Sequence, residues 1–354
     1  MSRNMKEANQ SIFRVLADFV QASNIGVPIS DINVRCIETD DREKEWLQKL
    51  KITTVQPILP NFKTASFEFE CNKYFVVVGW HTQEISEEVI QFIEPNAGIV
   101  TALLSELKVS VSQNANPYDI ANEIFYESDQ RIIKYDFSLV TNFFEPIYIY
   151  QIQENSTFVN QDDIDIISLS GFYAIKNRQL ISLNFSEATL SRFEKLFIEG
   201  SKNIPFENLL LSLVSVYWKY AFLDVYRCIE SLFCISALED FHKKLKITDS
   251  LLKFSADVEN YIGWRPKENE ALNKLIENSP EEAIYLFREV KVSIDGQEEG
   301  KYGELIYRVR NSIVHFRPAN EEIKLDEENW DKLINSALLV IDYWYNKYDK
   351  QLKI

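Results

Sequence analysis

The spacing of apolar positions changes once along the chain, and that change divides it. Within residues 9–22, Ile12, Leu16, Phe19 and Val20 fall on one face of a helix. Residues 41–50 open with acids and close on Lys49, the polarity a helix dipole favours, and predict a second helix. Period-two patterning comes next. Phe67, Phe69 and Cys71 alternate with Glu68, Glu70 and Asn72, and residues 74–80 continue as a buried strand. Residues 135–140, 146–152 and 164–175 read as further strands, and Lys176-Asn177-Arg178-Gln179 as a hairpin turn into a strand over 180–185. Residues 1–200 therefore predict a mixed α+β domain rich in strands.

Beyond a linker over Glu199-Gly200-Ser201-Lys202-Asn203-Ile204-Pro205 the period becomes helical. Residues 206–247 contain neither Gly nor Pro, and Leu209, Leu213, Val216, Val225, Ile229, Leu232 and Phe233 form one stripe. That length predicts two consecutive helices. Residues 250–261, 268–277 and 280–290 predict shorter helices, 294–300 a polar loop, and 302–316 a helix stopped by Pro318. Over 327–350, Trp330, Leu333, Ile334, Ala337, Leu338, Ile341, Trp344 and Tyr345 share a face. Residues 201–354 thus predict an all-α helical bundle.

Composition narrows the partners. A net charge of -16 repels phosphate, so any contact with nucleic acid requires a local basic patch, and an anionic membrane is a poor partner. Cys36, Cys71, Cys228 and Cys234 contain no C-x-x-C pair and read as thiols packed in a reducing compartment. The opening residues lack the apolar stretch of a secretory signal, and no apolar run is long enough to span a bilayer, so a cytoplasmic protein is expected. Gly296, Gly300 and Gly303 sit amid Gln297, Glu298 and Glu299, unsuited to cradling phosphate. No zinc-ligand spacing occurs, and Asp162, Asp163 and Asp165 read as a solvated loop, so neither cofactor nor metal is expected. Trp264-Arg265-Pro266 reads as core and turn rather than as a platform for stacking bases.

One stretch carries chemistry: Tyr307-Arg308-Val309-Arg310-Asn311-Ser312-Ile313-Val314-His315-Phe316-Arg317-Pro318. Asn311 and His315 are four apart and project from one side of a helix, and the long side chain of Arg310 can reach round to a shared anion. Imidazole exchanges protons near neutrality, and guanidinium is a permanent fork for phosphate oxygens. An amide orients the imidazole or a substrate oxygen. Together they suit a phosphate site that needs no metal. For RNA, the reaction is attack of a 2′-hydroxyl on its own 3′-phosphate, requiring a base at one oxygen and an acid at the other. One histidine does not supply both, and a symmetric homodimer would. Lys301, Arg308 and Arg317 are the candidate RNA-binding patch, opposed over 301–317 only by Glu304. Glu230, in the first long helix, either pairs with Arg310 behind the site or with Arg227 on its own helix.

Arg310-Asn311-Ser312-Ile313-Val314-His315 fits the signature of Arg, a polar residue, a few more residues and His, and residues 201–354 resemble a HEPN domain. The early helix over 217–233 is also similar to Apea-like members. The resemblance implies a four- or five-helix bundle, a homodimer and metal-independent endoribonuclease activity with Arg310, Asn311 and His315 at the interface. It also implies a toxin or anti-phage defence setting, often with a sensing domain attached; the role of residues 1–200, a regulatory ligand or protein site among the options, is left unassigned by the sequence. HEPN toxins paired with nucleotidyltransferase antitoxins carry Tyr two residues after the His, where this chain has Arg317. Some members have lost catalysis and bind only nucleotide, RNA or protein, which is the alternative.

Overall fold

The computed structural model describes residues 3–80, 87–127, 130–160, 163–290, 301–315 and 323–352. The chain forms two compact units, Met1–Ile166 and Ile167–Ile354. The first is rich in strands and the second is helical.

In the first unit, α1 (Met5–Ala22) starts at Asn4, whose side chain accepts from the Lys6 N–H, and buries Ile12, Phe13, Leu16 and Val20. A short strand, β1 (Arg35–Ile37), precedes α2 (Asp41–Lys49). Asp40 and Glu43 start α2 with a reciprocal capping box, satisfying two backbone donors that the helix cannot. Next come β2 (Lys51–Leu59), β3 (Phe62–Phe69), β4 (Asn72–Val78) and β5 (Ile90–Ile93). Helices α3 (Ala97–Glu106) and α4 (Pro117–Glu123) lead to β6 (Ile133–Tyr135), α5 (Phe137–Thr141), β7 (Ile147–Ile152) and the two-residue strands β8 (Val159–Asn160) and β9 (Asp163–Ile164). Five strands form one antiparallel sheet in the order β2-β3-β4-β7-β5, while β1 pairs in parallel with β6. Phe67, Tyr74, Val76, Val78 and Ile149 from the sheet join α1 and α3 in a shared core.

The second unit begins with α6 (Ile166–Lys176) and α7 (Glu187–Glu199). It continues through α8 (Phe206–Leu213), α9 (Trp218–Glu230), α10 (Phe233–Leu245), α11 (Leu251–Ile262) and α12 (Glu268–Glu277). It closes with α13 (Glu281–Glu289), α14 (Tyr302–Val314) and α15 (Glu327–Lys347). The apolar face expected of α15 is buried in full, and Asp331, Asn335 and Ser336 are buried beside it. Burying such groups costs free energy unless they are partnered, and Asp331 and Ser336 are, whereas Asn335 Oδ1 has no hydrogen-bond partner among the described residues. Asp331 accepts from the Ser186 N–H (3.0 Å), and Ser336 donates to the Ala283 carbonyl (2.6 Å). Trp344 Nε1 donates to the Leu275 carbonyl (3.1 Å), and the Tyr345 hydroxyl to that of Cys228 (2.9 Å). One helix thus ties α7, α9, α12 and α13 together. No helix among the described residues is long and apolar enough to cross a membrane.

Four expectations change. Residues 164–175 are mostly helix, because an unbroken apolar run satisfies a buried helix as well as a buried strand. Gly171 on that helix lies against the Phe197 ring of α7. Residues 180–185 form no strand; Arg178–Leu180 is a single tight turn, and Ser186 caps α7. The helical unit therefore starts near residue 167 rather than 201. Residues 135–140 hold the end of β6 and then α5, since Asp136 accepts from the Ser138 N–H and starts a helix. Finally, 206–247 contains three helices, broken before Trp218 and again at Leu232.

Candidate functional site

The site is built on α14. Its Lys301 N-cap provides no side-chain hydrogen bond to the helix, and Asn273 of α12 serves instead, its Oδ1 accepting from the Glu304 N–H (3.1 Å). Gly303 lets the two helices meet: a Cβ there would lie 2.5 Å from the Asn273 nitrogen and 2.7 Å from its Cα. Val309, Ile306 and Leu305 bury the inner face, so the position of α14 against α12 and α9 is set by close packing.

That placement decides what Arg310 meets. Its guanidinium, largely covered, lies between the C-terminal residue of α9 and the N-terminal residue of α12. Nη2 donates to Glu230 Oε1 at 3.4 Å, Nη1 donates to Asn311 Oδ1 at 3.0 Å, and Glu268 Oε2 is 3.9 Å from Nη1. The Tyr226 ring, one turn before Glu230, sits 5.7 Å from the guanidinium carbon. Two carboxylates thus share one cation. Burial raises the Glu230 carboxyl above its usual pKa, with Arg310 pulling it down and Glu268 pushing it further up. Burial likewise raises the Tyr226 phenol, helped by Glu230 and Glu268. The Tyr226 hydroxyl and Glu268 Oε2 are buried with no hydrogen-bond partner among the described residues. Arg227 pairs with Asp224 at 2.6 Å, which leaves Glu230 to Arg310.

His315 ends α14 as its C-cap, in an extended conformation, and its N–H donates to the Asn311 carbonyl (2.9 Å). Its side chain is exposed to solvent. Five residues separate it from Arg310, a rise of about 7.5 Å along a helix. The structure therefore gathers Arg310, Asn311 and Glu230 with Glu268 and Tyr226, and leaves His315 at the rim. The Asn311 amide is turned to Arg310, where it orients the guanidinium rather than the imidazole.

The expected basic patch is more scattered than the sequence suggests. Arg308 is exposed, but two helical positions from Arg310 is a rotation of about 200°, which puts it on another face. Lys301 is exposed at the opposite end of α14. Arg317 lies outside the described residues. Glu268 and Tyr226 were not singled out from sequence. Tyr226 stands four residues before Glu230 on α9, a spacing that could have pointed to it, whereas nothing local marks Glu268. Among the described residues, no group of three or more His, Cys, Asp or Glu side chains is placed to hold a metal ion.

Comparison with known proteins adds little. No family model matches the chain, and no solved structure matches it. A protein from Arabidopsis thaliana described as putative GATA transcription factor 13 is 35% identical over 100 residues, 26% of this chain and 34% of that protein. The chain thus spans about a third of that relative.

Proposed function

We propose that the helical unit is a HEPN-type, metal-independent endoribonuclease acting on RNA as a homodimer. The observation that supports this most is the arrangement around Arg310. A largely covered guanidinium has donors to spare, lies against the Tyr226 ring, and shares its helix with the solvent-exposed imidazole of His315. Its hydrogen bond to Glu230 is long at 3.4 Å and Glu268 stands 3.9 Å away without one, whereas charge-assisted bonds to phosphate close to about 2.7–2.9 Å. A phosphate oxygen would therefore compete well for those donors. Arg310 stabilises the charge that builds on the phosphorus-bound oxygens, and His315 carries the proton as general base or acid. The second proton carrier is His315 of a second copy. The first unit, Met1–Ile166, would sense the signal, and a toxin or defence role belongs to the same reading.

A second reading is supported by the charge count: two carboxylates face one guanidinium, so the cluster is net acidic. On that reading Arg310 is a structural tie between α9, α12 and α14, and the unit binds nucleotide, RNA or protein without cutting. Labelled RNA incubated in EDTA with the protein, Arg310→Ala and His315→Ala separates the two. Cleavage that survives chelation and vanishes in both variants supports the nuclease; binding without cleavage supports the scaffold.

A further inference from the structure

The stretch Trp264-Arg265-Pro266, expected to be core and turn, is exposed at the wall of a groove. Helix α11 ends at Gly263 in a left-handed conformation (φ +68°), which any other residue would adopt at a cost, and the chain turns there to present Trp264. Trp264 keeps 40% of its surface accessible and borders a cavity of about 350 Å³ between α10 and α12. That volume suits a small ligand. Ala237 and Ala271 leave room on the two helices, and Arg265, Lys267 and Lys274 complete the lining with Glu270.

The charges are arranged for an anion. Arg265 pairs with Glu259 (Nε to Oε1, 2.8 Å) and Lys267 with Glu270 (2.8 Å), both exposed pairs of the kind a stronger anion displaces. Lys274 differs. Its Nζ donates to the Ser236 carbonyl of α10 (2.5 Å) and has no carboxylate partner among the described residues. A cation fixed by a backbone oxygen, with two N–H donors remaining, stands in the same groove as an accessible indole. Indole offers a face for a planar base, and the ammonium a contact for its phosphate.

We propose that this groove seats a nucleotide, its base against Trp264 and its phosphate at Lys274 and Arg265, either free or as one residue of a single-stranded RNA. The site lies on α12, whose first residue, Glu268, faces Arg310. The naming of RNA rests on the ribonuclease reading; the groove's chemistry does not.

The test titrates full-length His315→Ala protein, in EDTA, with AMP and with a short fluorescein-labelled single-stranded RNA. The same titrations are run with Trp264→Ala, Trp264→Phe and Lys274→Gln added. At least one probe binds; Trp264→Ala weakens it about tenfold or more, and Trp264→Phe, which keeps an aromatic face, restores most of the affinity. For RNA, Lys274→Gln also lowers the slope of log affinity against log salt by about 0.7. The probe that shows these dependences identifies the source. Binding of both probes that is indifferent to Trp264 and Lys274, or no binding of either, overturns the proposal. Wild-type protein that leaves RNA intact while these dependences hold removes the nuclease and keeps the groove; cleavage with indifferent binding does the reverse.

Discussion

Arg310 and Glu230 are 80 residues apart in sequence and meet at 3.4 Å, joining the end of α14 to the end of α9. The bond is long, both groups are partly covered, and a second carboxylate, Glu268, approaches the other terminal nitrogen of the guanidinium at 3.9 Å. One guanidinium therefore balances two acids, and the cluster responds to pH and to the loss of any one member.

Glu230 has a raised pKa in the folded protein, so the fold favours its protonated form. Stability from this group is complete below the ordinary carboxyl range and is lost as pH rises through the raised value. At neutral pH the ionised carboxylate is therefore a net cost. Glu230→Gln melts higher than wild type at pH 7, and the gap closes as pH falls below about 4, where carboxyl groups are protonated in both states. Thermal melts across that range measure it; a gap that is constant or reversed contradicts a raised Glu230 pKa.

Arg310→Ala leaves Glu230 and Glu268 facing each other without a cation. We expect a loss of about 1–2 kcal/mol, below the figure for a fully buried pair because both carboxylates remain partly solvated. Added to Glu230→Gln, the same substitution costs less, with a coupling of at least about 0.5 kcal/mol. Denaturant melts of the four proteins give this number, and strict additivity would show that the pair is not coupled.

Gly303→Ala tests the seat of the site. The added methyl meets the Asn273 backbone, which cannot rotate away, so α14 must shift from α12 at about 1–3 kcal/mol. A shift of that kind also moves Arg310 from Glu230. Calorimetry showing an unchanged melting temperature would mean the helices are looser than the structure has them.

The helical half was largely readable from its sequence, for a physical reason. The α15 face from Trp330 to Tyr345 repeats over many turns, and only a helix buries all of it. Short apolar runs lack that redundancy. Residues 164–175 satisfy both periods, and the helix they form packs Gly171 against the ring of Phe197, a contact between separate segments that no local pattern announces. The site divides the same way. Arg310, Asn311 and His315 are visible because one helix carries them, and Glu230 could be suspected from a single helix pattern. Glu268 joins only because α12 packs on α14. Its charge changes the character of the site from a basic patch to a contested cation.

His315 is exposed and its imidazole makes no hydrogen bond within the described residues, so His315→Ala leaves stability within about 0.5 kcal/mol of wild type. A larger loss in chemical denaturation would give the side chain a structural role.

RNA cleavage in EDTA by wild type and by His315→Ala, two proteins of matched stability, decides between nuclease and scaffold. We predict that wild type cuts, leaving a 2′,3′-cyclic phosphate, and that the variant loses at least about a hundredfold in rate, the scale of general acid–base catalysis. Equal rates for the two proteins, or intact RNA with wild type, would contradict the nuclease.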